Sequence, residues 1–240
     1  MAATRSNLRR SATGYLQRTR QPLTCLLFIL PMLAAYEAGA IFFGHKLLAN
    51  EHLKELLGLF GATGWFLPPF LVVTVLFVWH VVSKQKWQAD VRTLLGMAAE
   101  SILWALPLVV MAGVLTRLMG PGALSAGAPQ RTLAANVLSG IGAGVYEEFL
   151  FRLAGIALFL LLTVDAARQP EGPMIVLAVI LTSVLFSFYH FLGPESFSTF
   201  RFVFRVLAGA YLAVVYVYRG FGIAVGAHAC YNAIGALWTT

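Results

Sequence analysis

The sequence contains few charged residues and no long polar stretch. Of its 240 residues, 11% are Asp, Glu, Lys or Arg, whereas 59% are hydrophobic. An ordinary soluble domain is roughly 25% charged. These absences exclude a typical water-soluble enzyme and predict a chain that lies in a lipid bilayer.

Cysteine and short metal-binding motifs are also scarce. The only cysteines are Cys25 and Cys230, and both lie in apolar sequence without CxxC spacing. This pattern excludes a disulfide framework and a cysteine-based zinc site. The sequence has no HExxH segment either, so no single helix is predicted to supply a complete metallopeptidase centre.

Apolar stretches long enough to cross a bilayer recur along the chain. A hydrocarbon core of about 30 Å requires about 20 apolar residues per helix. The predicted fold is therefore all-α, a polytopic transmembrane helical bundle of about seven spans, with six or eight as alternatives. The fourth span exceeds one crossing, which predicts a tilt or a break. The predicted spans are Pro22–Phe43, Trp65–Val82, Met97–Met119, Leu133–Leu162, Met174–Leu192, Phe202–Tyr218 and Phe221–Trp238.

The distribution of basic residues predicts the orientation. Residues 1–21 contain five arginines and no acid, and Lys84, Lys86 and Arg92 follow the second span. By the positive-inside rule we expect residues 1–21 to be a cytoplasmic segment and residues 22–240 to be one transmembrane domain, in a bacterial inner membrane. The pI of about 9.7 reflects these basic flanks. Contact with anionic lipid headgroups accounts for their presence, so no nucleic-acid partner is predicted.

The fourth span contains three ionisable residues where hydrocarbon should exclude them. Such residues are costly in a membrane and indicate function by default. Glu148 and Arg152 are four residues apart, the favourable order for a helical ion pair. Glu147 points to a different neighbour and is left as a candidate general base.

Two later spans each add a polar pair at helical spacing. Phe186 and His190 share one helical face, as do His228 and Asn232. Taken alone, each pair fits a structural role, because His and Asn also form hydrogen bonds between membrane helices.

Together, Glu-Glu-x-x-x-Arg, Phe-x-x-x-His and His-x-x-x-Asn resemble the motifs of the CAAX-protease and bacteriocin-processing (CPBP, Abi-type) intramembrane proteases, which include the Ras-converting CAAX endopeptidases. The resemblance covers residues 133–240, the expected catalytic core. It implies that Glu147 and His190 hold and activate a water, and that His228 and Asn232 stabilise the oxyanion. The supporting residues would be Glu148, Arg152 and Phe186.

The same residues leave open whether a metal takes part. Glu147, His190 and His228 have the His-His-Glu composition of several zinc peptidases, and members of the family are often labelled metalloproteases. No cofactor is the favoured prediction, because His228 and Asn232 share a face as a donor pair would. Zn²⁺ is the alternative.

The expected partners are the bilayer and a membrane protein or lipid-associated peptide substrate. The family resemblance implies CAAX-type trimming, bacteriocin processing or removal of C-terminal anchors. Two alternatives remain open: a proton-coupled transporter that uses the buried acids and histidines as a relay, and a non-catalytic immunity or scaffold protein. Of the other acids, Glu37 and Glu100 are predicted to lie at headgroup level or to form hydrogen bonds between helices, with lining of the cavity as the alternative. Glu195 is predicted to be a solvated loop carboxylate.

Overall fold

The computed structural model describes residues 14–43, 67–119, 132–192 and 195–238. Every regular element in these ranges is a helix. The prediction of an all-α membrane bundle is confirmed. In chain order the helices are α1 (Pro22–Phe43), α2 (Leu67–Val82), α3 (Val91–Met119), α4 (Leu133–Ala166), α5 (Glu171–Tyr189), α6 (Thr199–Arg219) and α7 (Phe221–Trp238).

The helices agree with the predicted spans to within a few residues at each end. Among the described residues, α1, α3, α4, α5 and α6 are long and apolar enough to cross a membrane, whereas α2 and α7 are shorter apolar helices. Helix α3 begins at Val91 instead of Met97, and α5 ends at Tyr189 instead of Leu192. The predicted start of the second span, Trp65, lies outside the described residues.

The burial pattern is that of a bundle in lipid. On α1, the buried residues Cys25, Ile29 and Leu33 recur at four-residue intervals and pack into the largest apolar cluster. On the outside, Ile41 and Phe42 are 81% and 85% exposed. Exposed apolar side chains of this kind are favourable against lipid and unfavourable in water.

Helix α4 accommodates its excess length without a break. Its backbone is α-helical to Glu148, then π-helical over Phe149–Ile156 and again over Leu161–Ala166. With 34 residues, it is roughly 50 Å long at about 1.5 Å per residue. The break offered as one explanation of the long fourth span is therefore wrong; wider π turns, which often occur at functional sites, begin directly after the paired glutamates.

Helix α7 lies at the centre of the bundle. It packs against α3, α4, α6 and α1, and Ile223, Ala224, Val225 and Ala227 on it are completely buried. A tight turn joins α6 to α7, as predicted: Gly220 has φ 90°, and its N–H donates to the Tyr216 carbonyl at 2.8 Å. Because α7 is surrounded by helices, its polar residues must find partners on its neighbours.

A polar cluster lies where the N-terminal segment meets α3 and α6. The Glu100 carboxylate accepts hydrogen bonds from Arg219 Nη2 at 2.7 Å, from Tyr15 at 2.8 Å and from Trp104 at 3.0 Å. Burial raises the pKa of Tyr15, and the hydrogen bond to Glu100 raises it further. The prediction that Glu100 bonds between helices is confirmed, as is that for Glu37, which accepts a hydrogen bond from Tyr146.

Candidate active site

Three of the four predicted catalytic side chains meet between α4, α5 and α7. Glu147, on α4, is 8% exposed. Its Oε1 is 3.7 Å from His190 Nε2, and its Oε2 is 3.8 Å from His228 Nε2. Oε2 is buried and has no hydrogen-bond partner. A buried carboxylate oxygen without a partner is suited to accept a hydrogen bond from a small polar molecule.

In both imidazoles, the ring nitrogen that faces away from Glu147 contacts a second group, and this contact fixes the orientation of the ring. His190 Nδ1 is 2.8 Å from the Phe186 carbonyl oxygen, which can only accept, so Nδ1 carries the hydrogen. His228 Nδ1 is 2.8 Å from Glu148 Oε1. Each ring therefore presents Nε2 toward Glu147. A carbonyl or carboxylate behind the ring is the usual way in which proteins orient a functional histidine.

The predicted ion pair between Glu148 and Arg152 is present. Glu148 Oε1 is 3.1 Å from Arg152 Nη1, and both side chains are completely buried. Arg152 also donates from Nη2 to the Gly209 carbonyl at 3.0 Å. The same carboxylate oxygen lies 2.8 Å from His228 Nδ1, so Glu148 contacts both Arg152 and His228. The sequence pattern predicted Arg152 as the partner of Glu148. It did not predict His228 on α7 as a second partner.

Phe186 is the apolar contact that joins these groups. Its ring lies edge-on to His190 at 4.9 Å and to His228 at 6.0 Å between ring centroids. The guanidinium of Arg152 lies 4.4 Å from its ring centre, within the range of a cation–π contact. One aromatic side chain thus packs against both imidazoles and the buried arginine.

A cavity of about 200 Å³ adjoins the site. His190, His228 and Asn232 line it, together with Arg201 and Arg205. Asn232 Nδ2 donates one hydrogen to the Gly140 carbonyl at 3.1 Å. A side-chain amide has two such hydrogens, so the second can serve another acceptor. Asn232 therefore shares the cavity with His228, although its amide is also bonded to α4.

Two glycines on α4 set the distance to α7. A Cβ at Gly140 would lie 2.7 Å from Asn232 Cβ, and one at Gly144 would lie 3.0 Å from Ala229 Cβ. Both contacts are shorter than ordinary van der Waals separation, so larger residues there would push the helices apart. Close approach at these glycines allows Glu148 to reach His228.

The prediction that Glu195 is a solvated loop carboxylate is wrong. Its Oε1 and Oε2 accept hydrogen bonds from Arg205 Nη1 and Nη2, both at 2.9 Å, and Oε1 is 3.0 Å from Arg201 Nη1. The side chain is 24% exposed. The arginines lie six and ten residues further along the chain, and only folding of the loop onto α6 brings them to one carboxylate. The available signal was two arginines in the first two turns of a membrane helix.

Participation of zinc through Glu147, His190 and His228 stays a prediction, as does the favoured absence of a cofactor. Among the described residues, no group of three or more His, Cys, Asp or Glu side chains is disposed to hold a metal ion.

Comparison with protein families gives one match in the region that holds the site. Residues 129–234 match the family of type II CAAX prenyl endopeptidases, Rce1-like. The match begins before the paired glutamates and ends after Asn232, so it contains every motif residue. Comparisons with curated proteins and with solved structures gave no match. The chain is an integral membrane protein whose residues 129–234 are similar to the Rce1-like type II CAAX prenyl endopeptidases.

Proposed function

We propose that this chain is an intramembrane endopeptidase that hydrolyses a peptide bond with a water activated by Glu147. The family supports peptidase activity in general. The observation that carries the finer proposal is the buried Oε2 of Glu147, which has no hydrogen-bond partner and faces His228 while Oε1 faces His190. A carboxylate so placed is suited to act as a general base toward a water beside it.

In the proposed reaction, a water lies between the Glu147 carboxylate and His190 Nε2. Glu147 takes one proton from the water as its oxygen forms a bond to the carbonyl carbon. The carbonyl electron pair moves onto the oxygen and produces the tetrahedral oxyanion. When the C–N bond breaks, the proton on Glu147 passes to the leaving nitrogen. Both products are then neutral apart from their ordinary end groups, and Glu147 is again a carboxylate.

The oxyanion would be stabilised by His228 and Asn232. Glu148 accepts the Nδ1 hydrogen of His228, and in the proposed step a protonated His228 would donate its Nε2 hydrogen to the oxyanion. Asn232 would donate its second amide hydrogen to the same oxygen. One donor of this kind contributes about 3 kcal/mol to the transition state in other hydrolases. No step is assigned to a metal.

The proposed location is a bacterial inner membrane with the N-terminus cytoplasmic. Arg205 lines the cavity and Arg219 bonds Glu100 near the N-terminal segment. These two arginines are roughly 20 Å apart along α6 at about 1.5 Å per residue. The cavity would therefore open toward the outer face, which favours an exported peptide or a C-terminal anchor over a cytoplasmic CAAX protein as the substrate.

Labelling of single cysteines in intact cells tests this orientation. Arg117→Cys would lie at the cavity end and Lys86→Cys at the opposite end. With a maleimide that does not cross membranes, we expect the cysteine at 117 to react in intact cells and the cysteine at 86 only after permeabilisation. The reverse result would overturn the orientation and leave the chemistry untouched.

The enzyme proposal is tested with Glu147→Gln, which keeps the size of the side chain and removes the base. We expect loss of substrate cleavage, by about 100-fold or more, with normal insertion and expression. The uncut substrate should then be captured on the variant and identified. A scaffold protein would retain its full cellular effect in Glu147→Gln. A transporter would lose proton-coupled flux without any accumulated precursor. Either result would replace the peptidase proposal.

A further inference from the structure

Helix α1 carries a charged residue that the proposed chemistry does not use. Glu37 is the only charged residue among the 22 residues of α1. It is partly buried, and its Oε1 accepts a hydrogen bond from the Tyr146 hydroxyl on α4. A carboxylate within a membrane span is costly and indicates a function by default. None of the three polar motifs includes Glu37, so its role has to be found in what it contacts.

The contact between α1 and α4 is close at this level. A Cβ at Gly142 would overlap the ring of Tyr36, so the absence of a side chain there admits the ring. Tyr36 is completely buried and lies edge-on to Tyr146, with 5.6 Å between ring centroids. Tyr146 is 4% exposed. Its hydroxyl therefore reaches Glu37 from a ring that is packed in place.

The two chain neighbours of Glu147 are bonded to different helices. Tyr146 donates to Glu37 on α1, and Glu148 Oε1 is 2.8 Å from His228 Nδ1 on α7. Residues two apart on an α-helix point about 200° apart at 3.6 residues per turn, so these contacts hold α4 from opposite sides. A rotation of α4 about its axis would lengthen at least one of them.

Glu147 itself is held less directly than its neighbours. Its oxygens lie 3.7 Å from His190 Nε2 and 3.8 Å from His228 Nε2, beyond the usual length of a hydrogen bond. The backbone changes from α-helical to π-helical at Phe149, and the number of residues per turn changes with it. Packing of the second half of α4 therefore does not fix the rotation of the stretch that contains Glu147, and contacts within that stretch must do so.

We propose that Glu37 is a positioning residue for the active site: through Tyr146 it holds α4 in the rotation that places Glu147 between the two imidazoles. This inference rests on the proposed peptidase function. It gives the first helix, which contains no motif residue, a part in the reaction. Glu37 neither touches the substrate nor exchanges a proton in this role, so any side chain that accepts the Tyr146 hydrogen should replace it.

Substitutions of Glu37 and Tyr146 separate the hydrogen bond from the charge. Glu37→Gln keeps an acceptor oxygen and should retain most of the activity. Glu37→Leu removes the acceptor and should lower kcat by about tenfold or more with little change in KM, because a small misplacement of reacting groups costs rate. Tyr146→Phe removes the donor and should have the same effect. The double variant should be no slower than the slower single variant, since each single change already removes the one bond.

Cleavage is measured with an acylated apolar peptide, labelled with a fluorophore and a quencher, that the unaltered chain cuts in detergent micelles. Tyr211→Phe is the matched control. Tyr211, on α6, donates to the Trp104 carbonyl on α3 at 2.8 Å, so this variant also loses one hydroxyl that bonds two helices. It should lower Tm and leave kcat unchanged. A purely structural role of Glu37 predicts the same for Glu37→Leu, with an unchanged kcat for the folded fraction.

Histidine ring resonances test the position of Glu147 without any substrate. The chain has five histidines, so the ring signals of His190 and His228 can be assigned by single substitutions in protein that contains isotopically labelled histidine. Glu147→Gln shows how these signals respond to a change in the carboxylate. Both signals should move in Glu37→Leu and in Tyr146→Phe, return in Glu37→Gln, and stay in place in Tyr211→Phe.

The outcomes separate the two proposals. Unmoved ring signals in Glu37→Leu and Tyr146→Phe, or a Glu37→Gln variant as slow as Glu37→Leu, would overturn the positioning inference and leave the peptidase proposal standing. Shifted signals with an unchanged kcat would support the placement of Glu147 and overturn its role as the general base. Shifted signals with a lowered kcat that Glu37→Gln restores would support both.

Discussion

Replacing Arg152 with methionine removes a completely buried charge and leaves its partner in place. Arg152 is 3.1 Å from Glu148 and donates to the Gly209 carbonyl at 3.0 Å. Removing one member of a buried ion pair costs about 3–5 kcal/mol, because the other charge is stranded. His228 Nδ1, at 2.8 Å from Glu148, offsets part of this cost when its imidazole is charged. We therefore expect Arg152→Met to destabilise the protein by about 3 kcal/mol.

Thermal unfolding in detergent measures this loss. For a chain of this size, 3 kcal/mol lowers Tm by roughly 6–12 °C. Glu148→Gln combined with Arg152→Met should recover most of it, since the double variant has no stranded charge. Arg168→Met, at an exposed arginine, is the control. A Tm within about 2 °C of the parent for Arg152→Met, or a double variant less stable than the single one, would refute the ion-pair reasoning.

Three further substitutions and a metal analysis probe other parts of the molecule. Gly144→Leu should separate α4 from α7 and abolish cleavage, whereas Gly113→Leu, with open space around it, should not; cleavage rates of the two variants decide this. Asn232→Ala should lower kcat by about 100-fold or more with little change in peptide affinity, and an equal kcat would remove Asn232 from the oxyanion site. Tyr15→Phe should lower Tm by a few °C without altering kcat, because the cluster around Glu100 lies at the opposite end from the cavity. Protein purified without added metal should contain no stoichiometric zinc and should keep cleaving after prolonged chelation; zinc near one per chain, lost and regained together with activity, would make His190 and His228 ligands.

The sequence was sufficient to predict the bundle and the pairing of Glu148 with Arg152. Both follow from local rules: apolar length predicts a span, and a charge in a span four residues from its opposite predicts a pair. The convergence of Glu147, His190 and His228 was predicted only through the family resemblance. Periodicity gives the face of each helix but does not specify the neighbour that it meets.

The features that were missed depend on contacts between distant residues or on backbone detail. Glu195 was predicted to be solvated because nothing near it in sequence shows that a loop will fold back onto Arg205. The second partner of Glu148 is His228, 80 residues away. The π-helical stretch after Glu148 has ordinary helix-forming apolar residues, so propensity does not distinguish it from an α-helix.

The close approach of α4 and α7 depends on two residues without side chains, Gly140 and Gly144. Neither belongs to a catalytic motif, yet both set the separation between the carboxylates and His228. A related chain that keeps every motif residue but has valine at these two positions would hold its reacting groups apart, and a misplacement of about 1 Å can cost roughly 100-fold in rate. Such a chain would contain all the motif residues of a protease, yet it would bind peptides and release them uncut. Active and inactive relatives should therefore be sorted by these two small residues as well as by the polar ones.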